Sequence, residues 1–310
     1  MSEILKSEKK KRKFSLTDNI VGILFLGVIM FICGELLGVL VLVPCLRIVM
    51  NVLIPGLTAT DAWITSELYL GFLGTWAVIL LLIVLIPRNR PMLKTLGTKV
   101  KGNTPRMVAV GLALGLGMNL LSALVAILHG DITLTFHSFR PVSFLLIFIA
   151  VLIQSAAEEM ICRVVVYQRL LRRYGKPVLA VLANAAFFAV FHMLNPGITF
   201  LAVLNIFIYG ILFSAVAVCL DSPWAAMATH ATWNFCQNII LGLPNSGFVL
   251  PYSVFKLDAS TAVDSFAYSV NFGLESTITT SIILLTVTVL IVCWSKKRKI
   301  VPTNIWGDEA

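Results

Sequence analysis

The sequence has few charged residues, and acidic residues are the rarer kind. Charged residues make up 13% of the 310 positions, with 15 Asp and Glu against 24 Lys and Arg, while 58% of the residues are hydrophobic. A soluble domain carries roughly 25% charged residues and could not bury this much apolar surface. The composition therefore excludes a soluble globular protein and predicts an all-α integral membrane protein.

Paired cysteine motifs and internal repeats are also missing. The six cysteines form no CxxC pair, so neither a disulfide framework nor a cysteine zinc site is predicted. We detect no repeat symmetry of the kind that many transporters show. We detect no organellar targeting segment either, and we therefore predict a multi-pass protein of a bacterial plasma membrane.

Eight apolar segments are present, and most have the roughly 20 residues that a bilayer requires. They cover about residues 19–44, 66–87, 107–128, 143–163, 177–194, 198–219, 223–242 and 276–294. With both termini in the cytoplasm, 21 of the 24 Lys and Arg residues fall on the cytoplasmic side, and only Arg47, Arg140 and Lys256 fall outside. The positive-inside rule favours this topology. We therefore interpret the net charge of +9 as a topology signal beside the lipid bilayer, and we predict no nucleic-acid partner.

The segments divide the chain into four predicted regions. These are a basic cytoplasmic tail (1–18), two membrane helices with a basic cytoplasmic loop (19–106), a six-helix core that would hold the functional site (107–294), and a cytoplasmic tail (295–310). The GxxxG pair of Gly111 and Gly115 favours close helix packing. For Glu35, in the first segment, we favour a structural or packing role. The role of the long connection over residues 243–275, predicted on the outer face, stays open.

Ionisable side chains inside apolar segments are costly to bury and are therefore candidates for function. The stretch AAEEMICR, residues 156–163, contains two adjacent acids, Glu158 and Glu159. Glu159 and Arg163 are four residues apart on one helix face, which favours an ion pair. Glu158 is rotated by about 100° from Glu159, so it cannot easily share that arginine and stays free for chemistry.

Two histidines lie in the following apolar segments, and each has a neighbour four residues away. FAVFH (188–192) places Phe188 beside His192, and HATWN (230–234) places Asn234 beside His230. This spacing puts each pair on one face of a helix.

The turn at Gly175 predicts that these groups lie at similar depth. Glu158 lies 17 residues before Gly175 and His192 lies 17 residues after it, so an antiparallel hairpin would bring the two side chains level. His230, eight residues after a predicted N-cap, is expected in the same layer. This register requires that residues 195–197 interrupt a helix, which is tolerated only where the break is buried or lines a cavity.

The three motifs together resemble those of the CPBP family, the CAAX-protease and bacteriocin-processing family of intramembrane peptidases. EEMICR (158–163) resembles its EExxxR motif, FAVFH its FxxxH motif, and HATWN its HxxxN motif. The resemblance covers about residues 158–234. It implies an intramembrane endopeptidase that acts on a membrane-embedded or lipidated peptide or protein.

The resemblance also implies a role for each motif residue. Glu158 would be the general base that activates water, with His192 holding that water or sharing its proton. His230 and Asn234 would stabilise the oxyanion of the tetrahedral intermediate. The residues expected to support the site structurally are Glu159, Arg163 and Phe188.

Cofactor use and two other functions stay open on the sequence. The glutamate mechanism requires no cofactor, yet Glu158, His192 and His230 also form a donor set that can hold a catalytic zinc ion. No HExxH helix is present, and we favour metal-independent chemistry. A proton-coupled transporter could use the same side chains as a relay, and a bacteriocin immunity or scaffold protein could use the fold without turnover.

Overall fold

The computed structural model describes residues 18–307, most of which are helical. The main helices are α1 (Ile20–Leu53), α2 (Asp61–Leu85), α3 (Pro105–His129), α4 (Pro141–Tyr174), α5 (Pro177–Phe191), α6 (Phe200–Cys219), α7 (Pro223–Phe235) and α8 (Ile278–Arg298). Two short antiparallel strands, β1 (Leu134–Phe136) and β2 (Phe255–Leu257), form a small sheet. Of the predicted tails, residues 1–17 and 308–310 lie outside the described residues.

Six of these helices are long and apolar enough to cross a membrane, judged by length and composition over the described part of the chain. The shorter helices are α5, which is apolar, and α7, which continues as a π-helical turn over Cys236–Ile240. The prediction of an all-α membrane protein is confirmed. The number of crossings and the cytoplasmic position of both ends stay predictions.

The helix ends follow the local signals in the sequence. Gly175 adopts the left-handed conformation (φ 62°) that ends α4, and Pro177 begins α5. Ser222 caps α7, because its hydroxyl accepts a hydrogen bond from the Ala225 amide at 3.2 Å, and Pro223 is the first residue of that helix. The predicted turn and cap are therefore confirmed.

Helix α4 changes its winding directly after the two acids. It is α-helical up to Glu159 and π-helical over Met160–Val166, and then resumes as an α-helix. A π-turn inserts extra backbone into a helix and redirects the side chains on either side of it, and such turns occur frequently at functional sites. Every residue of this π-turn is buried, so the turn lies in the interior of the helix bundle.

Helix α7 is the centre of the bundle, where it packs against α3, α4 and α6. Helix α3 approaches α7 closely. A Cβ atom added at Gly111 would lie 2.3 Å from the Ala225 carbonyl oxygen, and one added at Gly115 would lie 2.1 Å from the Thr229 carbonyl oxygen. Only glycine permits such contact between two backbones. The predicted packing role of the GxxxG pair is confirmed.

Glu35 lies where α1 and α2 cross. Its Oε1 atom accepts a hydrogen bond of 2.9 Å from the Thr75 hydroxyl on α2. Gly34 and Gly74 allow this crossing, since a Cβ atom at either position would overlap the backbone of the other helix. These contacts agree with the packing role that we favour for Glu35.

Candidate active site

A cavity of about 330 Å³ is lined by residues of α1, α2, α4, α5, α6 and α7 and by the connection between α7 and α8. Glu158, His192, His230 and Asn234 all line it. Phe188 lines it as well. The structure thus brings the four residues of the predicted catalytic set into one chamber, while the role of each residue stays a prediction.

The two oxygens of Glu158 have different surroundings. Oε1 accepts a hydrogen bond of 2.6 Å from Nε2 of Gln154, one turn earlier on α4. Oε2 is buried without a hydrogen-bond partner and lies 3.8 Å from Nε2 of His230. One oxygen therefore fixes the carboxylate, and the other is available to a molecule in the cavity.

Glu159 forms the predicted ion pair with Arg163. Its Oε1 atom accepts hydrogen bonds from Nη1 of Arg163 at 2.9 Å and from Nδ1 of His230 at 3.0 Å. The side chains of Arg163 and Glu159 are only 2% and 1% exposed. A second bond from Arg163 reaches the Gly210 carbonyl oxygen at 3.0 Å. The ion pair therefore neutralises Glu159, and its further bonds connect α4 to α6 and α7.

Two phenylalanines hold the charged groups in place. The ring of His230 stacks on Phe213 at 4.7 Å with an angle of 19° and meets the edge of Phe188 at 5.8 Å. The guanidinium carbon of Arg163 lies 5.1 Å from the centre of the Phe188 ring and 5.4 Å from that of Phe213. These contacts limit the rotation of the His230 ring and of the Arg163 guanidinium group.

His192 lies at the end of α5, where the helix stops at Phe191. Its Nδ1 atom lies 2.8 Å from the Phe188 carbonyl oxygen. Because a carbonyl oxygen only accepts, Nδ1 carries the hydrogen, and Nε2 of a neutral ring is left as an acceptor. The chain then turns through residues 192–199, and Asn195 lines the cavity. The predicted break that lines a cavity is confirmed.

Asn234 is held by long hydrogen bonds on both ends of its amide. Nδ2 donates to Oε1 of Gln154 at 3.3 Å and to the Ser155 hydroxyl at 3.4 Å, and Oδ1 accepts from Nδ2 of Asn245 at 3.3 Å. Bonds of this length are weak, so Nδ2 can turn to a better acceptor at small cost.

Three polar residues of the site were not identified from the sequence. Gln154 precedes Glu158 by four residues, so the spacing rule that joins Glu159 to Arg163 could have found it. Asn245 and Glu275 line the cavity from the connection between α7 and α8, outside any apolar segment. No local signal in the sequence distinguishes these two residues.

Glu275 is a buried carboxylate with both oxygens bonded. Oε1 accepts from Nδ2 of Asn245 at 3.2 Å, and Oε2 accepts from the backbone amide and the hydroxyl of Ser246. The residue lies in a short turn before α8 and is 4% exposed. Burial raises the pKa of the Glu275 carboxyl to about 7.

A metal site at Glu158, His192 and His230 is not supported by this arrangement. Within residues 18–307, no three His, Cys, Asp or Glu side chains are grouped so that they could hold a metal ion. The Nδ1 atoms of His192 and His230 are both bonded to protein oxygens, which leaves Nε2 of each ring without such a bond. The six cysteines are free thiols.

Residues 140–236 match the family model of type II CAAX prenyl endopeptidases, Rce1-like. This segment contains all three sequence motifs, so the predicted resemblance to the CAAX-protease family is confirmed over these residues. At the level of the family, the match supports an intramembrane protease. A search of curated proteins found no match.

Proposed function

We propose that this chain is an intramembrane endopeptidase that hydrolyses a peptide bond of a membrane-embedded or lipidated peptide or protein by means of a water molecule activated by Glu158. The observation that carries the proposal is the unpartnered, buried Oε2 atom of Glu158 beside Nε2 of His230 in the cavity. Because Glu158 lines the cavity, this oxygen can accept a hydrogen bond from a water molecule there.

In the first step, Oε2 of Glu158 accepts a proton from water while the water oxygen attacks the carbonyl carbon of the peptide. Nε2 of His192 accepts the second hydrogen of this water and orients it, because Nδ1 is already bonded to the Phe188 carbonyl oxygen. General-base catalysis of this kind contributes about 10²–10⁴-fold in rate.

The negative charge on the carbonyl oxygen is stabilised by two donors. Nδ2 of Asn234 gives up its weak resting bonds, and Nε2 of a protonated His230 donates beside it. Because Nδ1 of His230 is bonded to Glu159, donation from Nε2 requires both ring nitrogens of His230 to carry hydrogen. Donors placed in advance at the position of the oxyanion are usually the largest single contribution to such a reaction.

In the second step, the intermediate collapses and the carbon–nitrogen bond breaks. The proton that Glu158 took from water passes to the leaving nitrogen, which departs as an amine. Glu158 returns to its carboxylate form, and the other product carries the new carboxyl group. The cycle therefore needs no proton from outside the site.

The wall of the cavity supports an apolar substrate. Much of the lining is aromatic or aliphatic, including Phe31, Leu68, Phe72, Phe187, Phe191 and Ile206. Such a surface suits the apolar part of a membrane-embedded segment or a lipid chain, while the polar groups lie together around Glu158.

The test compares protein termini in membranes from cells that express the wild type or Glu158→Gln at equal levels. N-terminal labelling and mass spectrometry should detect new termini with the wild type that Glu158→Gln lacks. Glu35→Gln is the matched control, because it makes the same change at another acid within the helices, and it should give the wild-type termini.

The outcomes separate catalysis from the other two functions. If wild type and Glu158→Gln gave identical termini while Glu158→Gln lost the cellular phenotype, a proton relay or a binding role would replace catalysis. If Glu158→Gln also kept the phenotype, Glu158 would have no function in the cell, and the peptidase proposal would be wrong.

A further inference from the structure

An ordered chain of hydrogen bonds connects the two carboxylates at opposite ends of the site. Glu158 accepts from the amide of Gln154, whose oxygen accepts from the amide of Asn234. The oxygen of Asn234 accepts from Nδ2 of Asn245, and the same nitrogen donates to Glu275. Three side-chain amides thus lie in sequence between two acids.

The direction of each amide in this chain follows from its ends. A carboxylate only accepts hydrogen bonds, whereas an amide side chain has a donor end and an acceptor end. Glu275 therefore requires Asn245 to present its nitrogen, and that nitrogen requires Asn234 to present its oxygen. The nitrogen of Asn234 is then directed to Gln154 and the cavity.

We propose that Glu275 is a positioning residue, which acts through Asn245 to keep the amide nitrogen of Asn234 directed into the cavity, where it stabilises the oxyanion. This inference rests on the proposed function, in which Asn234 is an oxyanion donor. Glu275 itself does not contact the reacting atoms, because both of its oxygens are bonded to Asn245 and Ser246.

Substitution of Glu275 by glutamine exchanges the donor and acceptor ends that Asn245 must present. The backbone amide of Ser246 only donates, so the oxygen of a glutamine at 275 turns to it and the nitrogen turns to Asn245. Asn245 must then present its oxygen to that nitrogen, and this oxygen faces Asn234. The Asn234 nitrogen is then required by the Asn245 oxygen, although the Gln154 oxygen, which Glu158 holds in place, still requires it, so Asn234 loses the single orientation that it has in the wild type.

The experiment measures kcat and KM of the purified full chain with a quenched fluorescent peptide that spans a cleavage site found by the terminal-labelling comparison. Removal of an oxyanion donor costs about 10²–10³-fold in kcat. We expect Glu275→Gln to lower kcat by at least ~10-fold, up to that limit, with KM changed less than about threefold. Asp264→Asn is the matched control, because it makes the same kind of change at an exposed acid of the same connection.

A double variant distinguishes positioning from a general structural effect. If Glu275 acts through Asn234, Glu275→Gln should lower kcat no further in a chain that already carries Asn234→Ala. If the double variant instead shows the product of the two single losses in kcat, the proposal is wrong. If Glu275→Gln does not fold, Asn245→Ala tests the same chain of bonds, with the same expected coupling to Asn234→Ala.

Failure of this inference differs from failure of the proposed function. A wild-type kcat for Glu275→Gln, with Glu158→Gln inactive, would remove only the role of Glu275. The absence of any terminus specific to the wild type would remove the reaction, and the positioning role with it.

Discussion

The Nδ1 atom of His230 lies 3.0 Å from Oε1 of Glu159, although the two residues are 71 positions apart in the chain. The sequence predicts the pair of Glu159 and Arg163, and the structure shows that Glu159 also contacts the ring of His230. A bonded Nδ1 leaves Nε2 as the nitrogen that faces Glu158. One buried acid therefore holds both the ion pair and a residue that we propose to be catalytic.

Variants of Glu159 can distinguish its contribution to stability from its contribution to activity. Glu159→Leu leaves Arg163 as an unpaired buried charge, and we expect a loss of about 3–5 kcal/mol in the free energy of unfolding. The double variant Glu159→Leu/Arg163→Leu should recover much of that stability but remain inactive, because His230 still lacks its anchor. Denaturation in detergent and peptide cleavage would measure the two effects, and an active double variant would contradict the anchoring role.

The contact between α3 and α7 should be sensitive to a single methyl group. Gly115→Ala places a Cβ atom against the Thr229 carbonyl oxygen, next to His230, and should cost about 1–3 kcal/mol as the helices separate. Gly117→Ala is the control on the same helix, because no atom lies within 4 Å of the added methyl group. Thermal unfolding should show a lower Tm for Gly115→Ala only. Equal Tm values for the two variants would refute the close approach.

The stability of the wild type relative to Glu275→Gln should depend on pH. Burial raises the pKa of Glu275 from 4.5 to about 7, so the folded chain favours the protonated carboxyl. That stabilisation is complete below about pH 4.5 and is lost as the pH rises through about 7. The difference in Tm between the wild type and Glu275→Gln should therefore decrease as the pH rises from about 4.5 to about 7. Above about pH 7 this difference should stay constant.

Three other titratable groups near Glu275 are common to both proteins, so the difference in Tm isolates this carboxyl. They are Tyr69, Tyr209 and His230. Parallel Tm curves between pH 4.5 and 8 would show that Glu275 does not change its protonation in this range.

Cleavage should persist when divalent metals are removed. Among residues 18–307, Glu158, His192 and His230 are not grouped closely enough to hold a metal ion, and the proposed steps use only side chains and water. We expect kcat to be unchanged after dialysis against EDTA, with a zinc endopeptidase treated in parallel as the control. Loss of activity that returns on addition of zinc would assign these three residues to a metal site instead.

The amino-acid sequence alone predicts the membrane class, the helix ends at Gly175, Pro177 and Ser222, and the pair of Glu159 and Arg163, whereas α1 extends to Leu53, nine residues beyond its predicted end. Each of these depends on local properties: the length of apolar runs, the conformations of glycine and proline at helix ends, and the spacing of residues along one helix. The same local rule reaches Gln154, which lies one turn before Glu158.

How these local elements form one site depends on the tertiary structure. The bond between Glu159 and His230 joins two helices, and Asn245 and Glu275 enter from a connection that has neither helical period nor apolar character. Such contacts depend on how the backbones pack, for example where Gly115 allows α3 to approach α7. A periodic pattern specifies which face of a helix is buried, but it does not specify which side chain of another element meets that face.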